Sequence, residues 1–150
     1  AKAAYENLNR VLVEDAFGWE RATAVAVRGA GRIHEIASGD DWAELCRTYP
    51  LEANASRSRN WFDVTGRKGR WLIPDWPRVS EDWDGVHLTT FAYLCAATTL
   101  IEIDSEYATV IGGWAPDSTL WLSDVARKSE RPGEQWVRRR YGSDEWIREA

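Results

Sequence analysis

Between Trp71 and Tyr93 the chain reads WLIPDWPRVSEDWDGVHLTTFAY, and this stretch gathers many of the side chains that could do chemistry. His87 carries a group that exchanges protons near neutral pH without help from its surroundings. Asp84 stands three residues before it, and Asp75, Glu81 and Asp82 precede both. Two carboxylates whose surroundings push their pKa values apart supply a general acid and a general base. His87, Asp84 and Asp75 are therefore the catalytic candidates, with Asp84 or Asp75 orienting the imidazole or acting with it. The Asp75, Glu81, Asp82 and Asp84 cluster could also hold Mg²⁺ or Ca²⁺ through waters. The structural alternative is routine solvation at the flanks of a short helix over Pro77–Glu81.

Tryptophan, threonine and the other aromatics of the stretch point to binding. Trp71, Trp76, Trp83, Thr89, Phe91 and Tyr93 are the candidates for a ligand or partner surface. Tryptophan joins a large apolar ring to one hydrogen-bond donor, so it serves cores, interfaces and stacking sites alike. Trp76 and Trp83 each follow an aspartate, Asp75 and Asp82. An exposed indole flanked by acids suits a basic protein partner, because Trp and Tyr dominate interface hot spots, and it suits stacking on a sugar or a base equally well.

The elements that must position these residues follow from periodicity. If residues 86–94 are extended, His87, Thr89, Phe91 and Tyr93 share one face and could line a pocket on a sheet. A helix over 89–100 competes with that reading, since FAYLCAATTL contains no internal breaker. Downstream, Thr98–Asp104, Tyr107–Gly113 and Ser118–Ser123 read as strands joined by short turns, which predicts an antiparallel meander over residues 86–123. Upstream, Trp42, Leu45, Cys46 and Tyr49 recur at helical spacing behind Ser38, so a helix is expected near 40–49. Tyr5, Leu8, Val11 and Leu12 predict an N-terminal helix that stops near Gly18. Valine- and isoleucine-rich runs either side of Gly29-Ala30-Gly31 give a hairpin signal, residues 52–60 read as a loop, and the charged tail from Arg127 reads as two short helices. The expected fold is α+β: a single domain over residues 1–150 with a mostly antiparallel, twisted sheet.

Asp84 and His87 have the three-residue spacing of the last block of SGNH-type esterases. Those enzymes carry Gly-Asp-Ser near the chain start, and this chain has no Gly-Asp-Ser. Zinc would need two histidines brought together from distant segments with ligands at unfamiliar spacing, so no metal and no cofactor is expected. Cys46 and Cys95 match no redox or metal spacing and read as buried thiols of a reducing compartment, which places the protein in the cytoplasm.

Composition narrows the partner. The 150 residues carry a formal charge of −5, which disfavours nucleic acid because Lys and Arg supply most non-specific affinity for phosphate. No apolar run is long enough to span a membrane. Ten tryptophans raise the expectation of a binding face. The resulting expectation is a small acidic, non-enzymatic protein-binding module, an inhibitor or immunity-type protein for a basic partner. The alternative is a small enzyme or small-molecule-binding domain with an acid/base pocket around His87.

Overall fold

The structure, a computed structural model, describes residues 20–53, 55–139 and 145–149. Over these residues the fold is α+β, with four helices and mostly antiparallel sheets. In chain order, β1 (Arg21–Ala24), β2 (Val27–Arg28) and β3 (Ile33–Ile36) lead into α1 (Gly39–Thr48). Next come β4 (Pro50–Glu52), α2 (Ala55–Thr65), β5 (Arg70–Pro74) and α3 (Trp76–Asp82), then β6 (Gly85–Leu88) and α4 (Thr90–Ala96). The chain continues through β7 (Ile101–Glu102), β8 (Tyr107–Thr109) and β9 (Ser118–Trp121) to β10 (Arg127–Lys128), β11 (Glu134–Arg138) and β12 (Trp146–Arg148). The described residues divide into two compact units, one within 31–124 and the other made of 20–30 with 125–139 and 145–149.

Within Gly31–Asp124 lie two sheets. One has the order β3-β6-β9, parallel between β3 and β6 and antiparallel between β6 and β9. The other runs β4-β5-β8-β7, with a parallel pair only between β5 and β8. Ile36, Val86 and Leu88 are fully buried, in a core shared with Leu45 and Cys46 of α1 and Val79 of α3. Gly85 sits where strands close in: a Cβ there would meet Ile33 Cδ1 and the Leu120 carbonyl at 3.1 Å, tighter than nine in ten real Cβ contacts. Only glycine allows that approach without a shift of its neighbours.

Local chemistry accounts for the helix starts. The Ser38 hydroxyl accepts from the Asp41 amide at 3.2 Å, and the Asp41 carboxylate accepts from the Ala37 amide at 3.0 Å. Ser38 thus satisfies one amide that the first turn of α1 leaves open, and Asp41 reaches back beyond the N-cap to hold the Ala37 amide. Thr89 caps α4 in the same way, accepting from the Ala92 amide at 3.1 Å while donating to the Ile36 carbonyl at 3.1 Å. That cap is why the extended segment ends at Leu88. Residues 86–94 do not run as one strand, and of His87, Thr89, Phe91 and Tyr93 only His87 lies on β6.

The predicted meander over 86–123 is also replaced. β7 and β8 do form a tight antiparallel pair, and Asp104 Oδ1 closes their turn by accepting from the Glu106 and Tyr107 amides at 2.8 and 2.7 Å. β9 then leaves β8 and pairs with β6. The connection carries Gly113 and Asp117 at φ +71° and +53°, left-handed conformations that take the chain to the other sheet. The hairpin signal around Gly29–Gly31 fails for a related reason: β2 pairs with β10, and β3 with β6. Turn residues signal a reversal but do not choose the strand's partner. Residues 55–60, expected in a loop, begin α2.

In the flanking unit, β11 pairs antiparallel with β1 and β12, and β10 with β2. The charged tail, expected to be helical, is therefore strand at 134–138 and 146–148; ladder pairing overrides the helix preference of Glu, Gln and Arg. The expected N-terminal helix lies outside the described residues. No helix among the described residues is long and apolar enough to cross a membrane.

Leu88 is fully buried, whereas Leu94 on α4 is 69% exposed. Leu88→Ala is expected to lower unfolding free energy by about 2–5 kcal/mol, and Leu94→Ala by no more than about 0.5 kcal/mol. Denaturant midpoints of the two variants check this; comparable losses would contradict the burial pattern.

Candidate functional site

A cavity of about 410 Å³ opens within residues 31–124, and four tryptophans help to wall it. Trp42 comes from α1, Trp61 from α2, Trp76 from the first turn of α3 and Trp114 from the loop before β9. Ile73 and Pro74 of β5, Gly112 and Gly113, and Ser118 to Leu120 complete most of the remaining wall. No lining side chain is charged.

The ring geometry follows from one buried anchor. Trp42 Nε1 donates to Thr109 Oγ1 at 3.0 Å, and both residues are buried. This fixes the Trp42 ring, against which Trp76 and Trp114 pack with centroids at 6.2 and 5.7 Å. Trp76 and Trp114 in turn stand 5.8 Å apart, and the three interplanar angles are 53°, 84° and 65°. Such tilted, edge-to-face arrangements suit the ring quadrupole and are each worth about 0.5–1.5 kcal/mol beyond area burial. Trp61 is held separately, edge-on to Trp71 at 5.3 Å. Gly112 leaves room beside Trp61 Nε1, 3.7 Å from where a Cβ would stand.

His87 lies on β6 opposite Thr119, one of the cavity-lining residues. Its Nδ1 is 3.0 Å from Thr119 Oγ1, and its Nε2 is 3.3 Å from Asp117 Oδ1. The imidazole thus bridges a hydroxyl and a carboxylate, an arrangement able to pass a proton between them. The carboxylate is Asp117, from the turn before β9, and neither Asp84 nor Asp75 contacts the ring nitrogens in this way.

The acids proposed from sequence have separate structural tasks. Asp84 Oδ1 accepts from the Ser123 hydroxyl and Oδ2 from the Arg32 amide, both at 2.7 Å. The Ser123 bond first, and then the Arg32 amide, hold its carboxyl below the usual aspartate range. Asp82 accepts from the Tyr49 hydroxyl at 2.7 Å, which raises the phenol's pKa. Asp75 is the N-cap of α3 and makes no side-chain capping bond there. Among the described residues, no three His, Cys, Asp or Glu side chains come together in a way that could hold a metal ion.

Of the six binding candidates, Trp76 alone lines the cavity. Trp71 is 1% exposed and packs on Trp61, so it supports the wall from behind. Trp83 packs on the other histidine, His34, with centroids 5.0 Å apart. Burial lowers the pKa of His34. Thr89 is a helix cap, and Tyr93 is half-buried against the core. Phe91 projects from α4 at 69% exposure. Sequence reasoning missed Trp42, Trp61 and Trp114 as wall residues. Trp42 looked like ordinary core on a helical face, and it is only 4% exposed; Trp61 lay at the end of an apparent loop. A signal was present in Gly112-Gly113-Trp114, where small residues beside an indole leave space.

The thiols differ from expectation as well. Cys46 is buried and its thiol is pushed up to about 12, first by desolvation, but Cys95 is exposed on α4. A disulfide reagent should titrate a single fast thiol in the folded protein, lost in Cys95→Ser; rapid reaction of Cys46 would contradict its burial. Asp84→Asn gives a second check. Because folded Asp84 titrates below an unfolded aspartate, the clasp contributes fully above about pH 3.9 and fades as pH falls through its folded value. The variant should melt lower than the parent at pH 7, with the gap closing in acid. A gap independent of pH would contradict the charged clasp.

No protein-family model, curated protein or solved structure matches this chain.

Proposed function

We propose that the protein is a binding module whose recognition site is the tryptophan-walled cavity of residues 31–124, and that it receives a small ring-bearing or apolar group without anionic charge. The observation that carries this reading is the convergence of Trp42, Trp61, Trp76 and Trp114, from four separate segments, on one uncharged cavity of about 410 Å³. A volume of a few hundred Å³, apolar and aromatic walls, and a few polar groups describe small-molecule sites in general. Filling such space with side chains would give a better-packed core, because an empty cavity forfeits dispersion contacts on every wall. A cavity retained beside half-buried indoles therefore favours a ligand over a purely structural role. His87, held by Thr119 and Asp117, stands behind the polar edge of the wall and orients the Thr119 hydroxyl.

A protein partner remains the second reading, supported by a different surface. Phe91 and Leu94 lie one helical turn apart on α4, each 69% exposed, with the exposed Cys95 beside them. Large apolar side chains clustered on one helix face suit an interface better than solvent. This reading places the partner on α4 rather than on tryptophan.

Binding to the folded state raises the melting temperature by mass action, so a panel of uncharged cyclic and aromatic fragments can be screened by thermal shift. Fragments that stabilise the parent should lose about tenfold or more in affinity, roughly 1.4 kcal/mol, in Trp76→Leu and Trp114→Leu. Fragments that bind both variants as well as the parent would place recognition elsewhere. For the second reading, Phe91→Glu with Leu94→Glu should abolish any protein complex and leave fragment binding intact.

A further inference from the structure

The polar groups around the cavity restrict what it can hold. Ser118 Oγ donates to the Ala115 carbonyl at 2.6 Å, Thr119 Oγ1 lies 3.0 Å from His87 Nδ1, and Trp42 Nε1 donates to Thr109 at 3.0 Å, so the lining side chains offer just two hydroxyl oxygens as acceptors beside their indole N–H groups. A pyranose would bring several hydroxyls into this wall, and each one left unpaired costs about 1–3 kcal/mol. A primary ammonium brings three N–H donors and meets the same difficulty. A carboxylate or phosphate would face the negative side of the indole quadrupoles with no cation in the lining.

A quaternary ammonium has none of these requirements. Its charge is spread over methyl groups that donate no ordinary hydrogen bond, and electron-rich indole faces attract it more strongly than any other aromatic ring does. Trp42, Trp76 and Trp114 all line the cavity and are tilted steeply to one another, with centroids 5.7–6.2 Å apart, so a compact cation in it would border all three. The carboxylates have a complementary placement. Asp75 stands in the chain between the wall residues Pro74 and Trp76, and Asp117 stands next to Ser118. Neither lines the cavity, so neither offers a direct ion pair, but each adds negative charge next in the chain to a lining residue, Asp117 while also facing His87 Nε2 at 3.3 Å. The net charge of −5 acts in the same direction.

We infer that the cavity binds a quaternary or fully methylated ammonium group, with Trp42, Trp76 and Trp114 as the ring walls and Asp75 and Asp117 as outlying counter-charges. This rests on the reading of the cavity as the binding site. The group is common to free choline-type molecules, trimethyllysine and phosphatidylcholine headgroups.

Choline and its uncharged carbon isostere, 3,3-dimethyl-1-butanol, separate the cation from its shape. Calorimetric titration of the intact protein should show choline binding at least about tenfold more tightly than the isostere, a difference of roughly 1.4 kcal/mol. Trp114→Leu should remove that preference, and Asp117→Asn should weaken choline a few-fold while leaving the isostere unchanged. Parallel titrations with an acetylated trimethyllysine and with phosphatidylcholine vesicles assign the source by which binds most tightly. Equal binding of choline and isostere, lost together in Trp114→Leu, would overturn the ammonium assignment and leave the cavity as the site. Absence of binding by either probe at millimolar concentration would also overturn the assignment. Choline binding unchanged in folded Trp76→Leu and Trp114→Leu would overturn both the assignment and the cavity reading. The parent's comparison of choline with isostere needs no variant, so a substitution that fails to fold does not decide the outcome.

Discussion

The bond from Trp42 Nε1 to Thr109 Oγ1 joins α1 to β8 through two buried residues, and the cavity depends on it. Thr109 is fully buried, and its hydroxyl also meets the Cys46 thiol at 3.6 Å. A buried hydroxyl without partners would be destabilising, and a buried indole N–H likewise, so each satisfies the other. With its donor committed to Thr109, Trp42 is fixed in rotation where it lines the cavity. Trp76 and Trp114 are placed by packing on it, although one begins a helix and the other belongs to a loop. The wall is thus organised from the core outward.

The same arrangement separates two chemistries that the sequence places side by side. The acid-rich stretch before His87 suggests an acid/base site, but Asp84 and Asp82 are bonded to Arg32, Ser123 and Tyr49. They hold loop and helix ends in place, and α3 therefore presents Trp76 to the cavity rather than its carboxylates. The histidine's own carboxylate comes from Asp117, far along the chain and brought in by the β6–β9 pairing. His87 and Thr119 meet because they are directly opposed across two antiparallel strands, the closest relation that a sheet provides.

Much of the local structure was legible in the sequence. Ser38, Asp41 and the Trp42, Leu45, Cys46 spacing mark α1, which runs Gly39–Thr48. Pro77 and its neighbours mark α3, and Arg70 to Pro74 forms a strand. Long-range pairing was not legible. Nothing in Ser118–Trp121 states that it joins β6 rather than β8, because alternation specifies a face and not a neighbour. The tail misled for the opposite reason: its Glu, Gln and Arg favour helices in isolation, but strand pairing decides their state. The site was half legible. Trp76 stood out through its prolines and acids, whereas Trp42 lies on a helical face where an indole reads as core and Trp61 follows a stretch that reads as a loop; both are largely buried. Residues that wall a cavity from within the core carry no sequence mark that distinguishes them from core.

The central claim is that four indoles bound an uncharged, ligand-sized space within residues 31–124. A crystal structure determined under xenon pressure tests it most directly, since xenon enters apolar cavities without needing hydrogen bonds. The account predicts xenon among the rings of Trp42, Trp61, Trp76 and Trp114, with Trp42 still bonded to Thr109. A structure in which Trp76 and Trp114 close over that space and xenon is absent from it would contradict the account.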